Sequence, residues 1–539
     1  MESYDYVATG IRDYLPNEIN YERDLALSSD VLRREYVEIN PPQSTVQGIS
    51  SSSIGNVTEI KLSDPSRWVD TSTLCLTFDV GNIVVPAAPA DYTMYANYCV
   101  LDGAYAVLSR LNVSVGGVNL STMNELNKHM NAKYLNGAMT SHLPNDALLL
   151  NPGCAKLCPI VQSPTTLPFS PALYATLSNS PANFSMTPAP SAKAGTDVMG
   201  FPTSVSGITA AIGTSGYGYE NSFQPSSARR TVTIKLGDIC PFFTQMRYLP
   251  LFLLKDVIFS IYYASPQQAF CTDLFLQITD NSAAGVAQNI ISYDVTNIKL
   301  VCDLITCSDV LNNRYRMMAA SPEGIILPFD DYAVQNATYP HQKSARQLQC
   351  NLSTANLKSI LFYQQSGTTA KAQNGWCNSN FHYLGINGFQ MKVNNNNIPS
   401  NPLNRATDIM LYNSRSRGTV GNELSNFVCN NPYIAHAMEC APNATTLASS
   451  LPATFVSFFV YSNFEKIINE NSEILRNGMN LKDASSTVTI QWNENSDGGA
   501  IPTAIRTAVL GADGGSYSAY ALMEYQRSLI LKNGMIELI

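Results

Sequence analysis

Charge is what this 539-residue sequence has least of. Asp, Glu, Lys and Arg make up 14% of it, against about a quarter in an ordinary globular domain. A surface with so few charges is not all meant for water, and broad polar-neutral contacts in an assembly would account for it. The balance is acidic, with a formal charge of −8 and an isoelectric point near 5.2. No basic patch for nucleic acid is implied. A secretory leader is missing as well: Met1 is followed by acidic and aromatic residues, not by a basic and then an apolar run. No apolar run is long and clean enough to cross a bilayer. Leu249 to Tyr263 carries Lys255 and Asp256, and Phe455 to Tyr461 is short. The expectation is a chain made in the cytoplasm or nucleus and not secreted.

Catalytic motifs are equally scarce. There is no G-x-S-x-G, no H-E-x-x-H and no phosphate-binding Gly-Lys-Ser/Thr loop. Asn493, Asn495, Asp497 and Gly498 hint at a calcium loop, but its twelfth position, which needs a bidentate acid, is Ala504. A polar turn is the better reading. Cys154 and Cys158, with His142 upstream, lack the second close pair that zinc requires. His129, His142, His341, His382 and His436 have no motif company, and Gly511 to Gly515 lacks a lysine. Asp330 and Asp331 are adjacent, so on a strand they point to opposite faces. Trp68, Trp376 and Trp492 suit packing better than a sugar site. The sequence therefore predicts no catalytic residue, no metal and no cofactor, hence not an enzyme.

What is present is β structure. Hydrophobic residues are 45%, enough for a large core, and the length suits two large β domains. The twelve cysteines are scattered, several within apparent strands, and read as reduced and buried. Asn-X-Ser/Thr triplets, such as those at Asn56, Asn112 and Asn336, read as chance in a chain rich in these residues.

The stretch from Ser227 to Ser265 organises the rest. Val232, Ile234 and Leu236 alternate with Thr and Lys, predicting a strand with one buried face. Val257 to Tyr263 is β-branched or aromatic at nearly every position, predicting a strand covered on both faces. Further strands are expected at Asn56–Leu62, Ser72–Val80, Ala104–Val115, Ile291–Leu304, Leu357–Gln364, Tyr383–Val393 and Ala453–Tyr461. Gly116-Gly117 marks a turn, and Asn533-Gly534 a hairpin between two apolar runs, so the C-terminus should finish in a sheet.

Two segments stand apart. Residues 1–44 hold nine acidic residues and four arginines but no lysine. Ile19 to Ile39 has a helical look, with Leu25, Leu32 and Tyr36 on one face. An acidic arm suits a clip onto another protein and not a lining for nucleic acid. Residues 159–226 are rich in Ser, Pro, Ala, Thr and Gly. Composition alone allows a linker, but Phe169, Tyr174, Phe184, Phe201, Tyr217, Tyr219 and Phe223 favour an elaborated loop.

The halves share a pattern. LNVSVGGVNLSTMNELNKHMNAKYLN and FQMKVNNNNIPSNPLNRATDIMLYN each run from a strand through a Gly/Asn turn to N-x-L-N-(Lys/Arg) and a closing Asn. Asn124 matches Asn401, Leu126 Leu403, Asn127 Asn404, Lys128 Arg405 and Asn136 Asn413, always 277 positions apart. This predicts one β fold used twice. The expected class is all-β: two tandem eight-stranded jelly rolls with an N-terminal arm and long loop insertions. The expected division is 1–44 arm, 45–312 first jelly roll with the 159–226 insertion, and 313–539 second jelly roll.

Over residues 45–539 the sequence resembles the double jelly-roll major capsid proteins of tailless icosahedral double-stranded DNA viruses, nearest the polinton-like, virophage and adenovirus-like branches. The resemblance is carried by RYLPLFLLKDVIFSIYYAS, the strand at Tyr293 to Leu304, the turn-then-Asn pattern in both halves, NNNNIPSNP at Asn394 to Pro402, and the terminal LILKNGMIELI. It implies a homotrimer: six similar sandwiches around a threefold axis, hence a pseudo-hexagonal capsomer in a virion. Partners would be neighbouring capsomers and minor capsid, cement and penton proteins, with no sequence-specific nucleic-acid binding. The 159–226 loop would be tower or clasp, and the arm would lie inward. The alternative is a carbohydrate-binding or carbohydrate-cleaving β-sandwich, which should show an acid pair and convergent aromatics.

Overall fold

Alternating residues in short segments broken by Gly, Asn and Pro leave the backbone little choice but pleated strands with one face inward. The computed structural model describes residues 30–50, 56–84, 97–100, 104–126, 129–130, 224–225, 229–272, 291–340, 344–354, 356–366, 386–393, 396–416, 459–465, 478–482, 487–494 and 516–539. In chain order the first half gives β1 (Val31–Ile39), β2 (Val46–Ser50), β3 (Val57–Leu62), β4 (Trp68–Val84), β5 (Asn97–Val100), β6 (Leu108–Val115), β7 (Val118–Asn124), β8 (Gln224–Pro225), β9 (Arg230–Lys235), β10 (Tyr248–Pro250), β11 (Val257–Tyr263), β12 (Phe270–Thr272) and β13 (Ser292–Cys307). A helix, Asp309–Ala320, leads to the second half. There follow β14 (Ile325–Pro340), β15 (Ala345–Cys350), β16 (Leu357–Ser366), β17 (Ile386–Val393), β18 (Asn396–Leu403), β19 (Phe459–Asn463), β20 (Val488–Glu494), β21 (Ser516–Lys532) and β22 (Met535–Leu538).

The pairing is antiparallel and is repeated. One sheet of the first half runs β1–β13–β4–β10, with β2 also on β13 and β9 also on β4; the other runs β3–β11–β6–β7. In the second half the sheets run β14–β21–β16–β19, with β22 on β21, and β15–β20–β17–β18. Taking β1 with β2, and β9 with β10, as single broken strands, and setting aside β22 and the small sheet of β5, β8 and β12, each half has eight strands among the described residues. They are joined in one order: first, eighth, third and sixth in one sheet; second, seventh, fourth and fifth in the other. That is a jelly roll made twice. The 277-residue spacing falls on equivalent strands, since β6 and β7 correspond to β17 and β18 within two residues at either end. A small third sheet, β12–β5–β8, accompanies the first half.

Turn chemistry sets the registers. Gly116 and Gly117 both have positive φ, 54° and 86°, as do Asn533 and Gly534, 51° and 71°. Two consecutive left-handed residues are what a tight hairpin between right-twisted strands needs. Asp64 caps the β3–β4 turn, its Oδ1 accepting from the Ser66 and Arg67 amides.

Several expectations are corrected. The helix expected across Ile19–Ile39 is a strand over Val31–Ile39, pairing with β13 from Val31↔Cys307 to Ile39↔Leu300. Its charges, which suggested the exposed side of a helix, pair across strands: Arg34 with Asp303, Glu35 with Arg67, Glu38 with Lys299. The last part of the expected 1–44 arm is therefore a sheet strand, and residues 1–29 lie outside those described. The expected strand from Ala104 begins at Leu108, after a 3-10 turn over Ala104–Val107. β11 is central, between β3 and β6, but it is fully buried on one face only: Val257, Phe259, Ile261 and Tyr263 are inside, while Ile258, Ser260 and Tyr262 are half-buried. Arg110 lies over the Tyr262 ring on that second face. The expected strand at Ala453–Tyr461 is described only from Phe459, and all but 224–225 of the 159–226 insertion lies outside the described residues.

Candidate functional site: the wall between the sandwiches

The strands covered on both faces belong to the second half. In β16, Ile360 and Phe362 pack into the second core while Leu361 and Tyr363 pack into the first. In β21, Ala519, Ala521 and Met523 join the second core; Tyr520, Leu522, Leu529 and Leu531 join the first. Phe459 and Val460 of β19 divide the same way. The sheet β14–β21–β16–β19 is thus a wall shared by the two halves. Against its outer face lie β7 and the short helical turn Phe242–Gln245. Phe242 meets Phe329 edge-on, ring centroids 5.0 Å apart.

A polar array, buried at Asp330, Asp331, Lys358 and Ser121, runs through this contact. Gln245 donates through Nε2 to Asp330 Oδ2 at 2.7 Å and accepts from the Asp330 amide at 2.8 Å. Lys358 reaches the same carboxylate at 2.7 Å, with both side chains more than nine-tenths buried. Asp331 accepts from Ser121 Oγ at 2.6 Å, Tyr525 OH at 3.0 Å and Arg527 Nη1 at 3.0 Å. Arg527 also donates to the Leu120 carbonyl. Glu524 accepts from Tyr332 OH and Ser359 Oγ. Farther along, the buried His129 Nδ1 lies 2.7 Å from Tyr363 OH, and Tyr363 stacks on Tyr520 at 5.1 Å. Burial pushes the Tyr332, Tyr363 and Tyr525 hydroxyls well up, so they stay protonated as donors. A charge held in the interior needs this many partners to be tolerated.

Asp330 and Asp331 each have their own cation and donors and share none, so they do not act as an acid pair. Trp68 packs with Phe252 and Tyr315, its Nε1 donating to Asn312 Oδ1 of the connecting helix at 2.8 Å. Trp492 sits in the second core, between Phe362 and Tyr339. Asn493, next to last in β20, pairs with Ala345. Trp376, Cys154, Cys158, His142, His341, His382, His436, the 495–504 part of the calcium-like loop and Gly511 to Gly515 lie outside the described residues. Among the described residues no three His, Cys, Asp or Glu are placed to hold a metal ion, and no helix is long and apolar enough to cross a membrane. Cys302, Cys307 and Cys350 are buried free thiols, and burial pushes Cys302 and Cys350 up to about 12. Sequence reasoning missed the wall. Its signal was the run of apolar residues at odd and even positions alike in YSAYALMEY.

Two eight-stranded rolls with one strand order, sharing a wall, define a double jelly-roll fold. The structure of the Sputnik virophage contains a chain of this architecture: it aligns over 95% of this chain and 89% of that one, with 11% identity and a TM-score of 0.52. The Faustovirus major capsid protein aligns over 92% and 90%, with 9% identity and a TM-score of 0.47. The mavirus major capsid protein aligns over 94% and 90%, with 10% identity and 0.46. The fold assignment rests on the first of these and on the strand order itself. No protein-family model matches the sequence, and no curated protein does.

Proposed function

We propose that the protein is the major capsid protein of an icosahedral double-stranded DNA virus, a structural and not a catalytic component of the virion. The observation that carries this is the doubled strand order fused through one wall. Three such blocks supply six similar sandwiches, which suits a pseudo-hexagonal trimer able to tile a shell. The low charge agrees, since subunit contacts bury polar-neutral surface. Neighbouring capsomers and minor capsid, cement and penton proteins would be its partners. Residues 30–312, with the 159–226 insertion as an outward or clasping loop, would serve as the first roll, and 313–539 as the second.

The test is the native mass of the purified protein. Three chains of 58.8 kDa give about 176 kDa, and that species with hexagonal outlines in electron micrographs is the expected result. A stable monomer that binds glycans would overturn the proposal in favour of a carbohydrate-binding sandwich.

A further inference from the structure

The connecting helix Asp309–Ala320 buries one side and leaves the other bare. Leu311 and Tyr315 pack with Trp68 and Phe252, and Asn312 and Ala319 are buried. On the opposite side Val310, Arg314 and Met317 follow one another at helical spacing. Val310 is 79% and Met317 75% exposed. The helix ends against the C-terminal hairpin, where the Asn533 amide donates to the Ala319 carbonyl. A cavity of about 180 Å³ opens there. Leu253, Ala319, Leu531 and Met535 give it apolar walls, Arg316 and Lys532 supply two cations, and no acidic residue lines it. One helix therefore carries an exposed basic and apolar stripe that runs toward a basic and apolar cavity.

The start of the chain is tied to the other end of this helix. The Ser308 amide donates to the Asp30 carbonyl at 2.8 Å, and Ser308 Oγ donates to Asp30 Oδ1 at 2.7 Å. Residues 1–29 thus depart from beside the helix N-terminus. They hold six acidic residues against two arginines, together with Tyr4, Tyr6, Ile11, Tyr14, Leu15 and Ile19 among other apolar residues. The helix is about 18 Å long, a span that roughly six extended residues cover.

We propose that this face is the docking site for residues 1–29 of the same chain, their carboxylates against Arg314, Arg316 and Lys532 and an apolar side chain in the cavity. A segment tethered at Asp30 meets the face at an effective concentration on the order of millimolar, so modest contacts suffice to fill it. The proposal goes beyond the capsid reading and holds for a single chain whether or not shells form.

The test compares peroxide oxidation of Met317, read by peptide mass spectrometry, in the full chain and in a chain starting at Asp30. Oxidation about tenfold slower in the full chain is expected, equivalent to about 1.4 kcal/mol of protection. The full-length triple variant R314E/R316E/K532E should oxidise like the truncated chain. If that variant fails to fold, E18K/E22K/D24K carries the same expectation without touching the folded face. Equal rates in full and truncated chains overturn the proposal, whether both are fast, meaning a bare face, or both slow, meaning another molecule covers it. Cross-linking a mixture of light and isotopically heavy chains separates same-chain from exchanged docking: links confined within chains support the proposal, and links between light and heavy chains overturn it. A monomeric native mass would end the capsid reading and leave this result standing.

Discussion

Ser121 and Asp331 are 210 positions apart in the chain and 2.6 Å apart in the fold, the hydroxyl of one sandwich donating to a buried carboxylate of the other. The same carboxylate holds Tyr525 and Arg527. Asp331→Ala leaves both donors and the guanidinium without their acceptor, and should lower unfolding free energy by about 3 kcal/mol. Ser121→Ala removes one donor from a carboxylate that keeps two others, and should cost about 1 kcal/mol. Urea titration checks the ordering, and equal losses would contradict the role given to Asp331.

The β6–β7 turn offers a sharper comparison. Gly116 and Gly117 share left-handed backbone, but only Gly116 lacks space: an added Cβ would strike Ile536 Cδ1 of the C-terminal hairpin, whereas nothing lies within 4 Å at Gly117. Both alanine variants carry the conformational cost of about 1 kcal/mol. Gly116→Ala should lose up to about a further 1 kcal/mol, since Ile536 Cδ1 can rotate away but the Leu254 carbonyl at 3.3 Å cannot. Thermal melts of the two single variants, side by side, measure the difference.

Cys302 and Cys350 bear on alkaline stability. Burial pushes both thiols up to about 12, from an ordinary value near 9. Between these limits the folded chain keeps protons that the unfolded chain has released, so stability must fall as pH rises through this window. Below pH 9 the contribution is fully present. Denaturant midpoints should hold from pH 8 to 9 and drop from 9 to 11, less so in a Cys302→Ala/Cys350→Ala variant measured against its own pH 8 value. Burial holds both thiols protonated at pH 8, so maleimide labelling should spare both until the protein unfolds.

Two truncations should behave differently. A chain starting at Asp30 keeps β1, whose Arg34 lies 3.0 Å from the fully buried Asp70. A chain starting at Thr45 loses β1, strips that partner from Asp70 and bares the edge of β13. The shorter deletion should stay folded, and the longer one should aggregate in sedimentation. Equal solubility would show that β1 is dispensable to the sheet.

How far the sequence foretold this fold follows from where each strand finds its cover. β3, β4, β9, β13 and β17 were legible because a face buried within one sandwich writes a period of two, and the hairpin at Asn533-Gly534 because its turn needs those residues. The 277-residue spacing located equivalent strands from a few Asn and Leu positions. β1 was misread because its nine residues are mostly exposed, which removes the alternation and leaves charges that fit a helix as well. The wall escaped because a strand covered on both sides shows no period, and its polar array joins residues such as Leu120 and Arg527, 407 positions apart, that no local pattern connects.

The shared wall makes the molecule inseparable although it repeats one strand order. Cutting the chain in the connecting helix would strand Leu522, Leu529 and Leu531 in water on one piece and Leu120 and Phe242 on the other. The two rolls should therefore melt together and resist hinging, since bending one against the other means sliding a continuous core. Any lattice made from such stiff planks would put its compliance into the joints between chains.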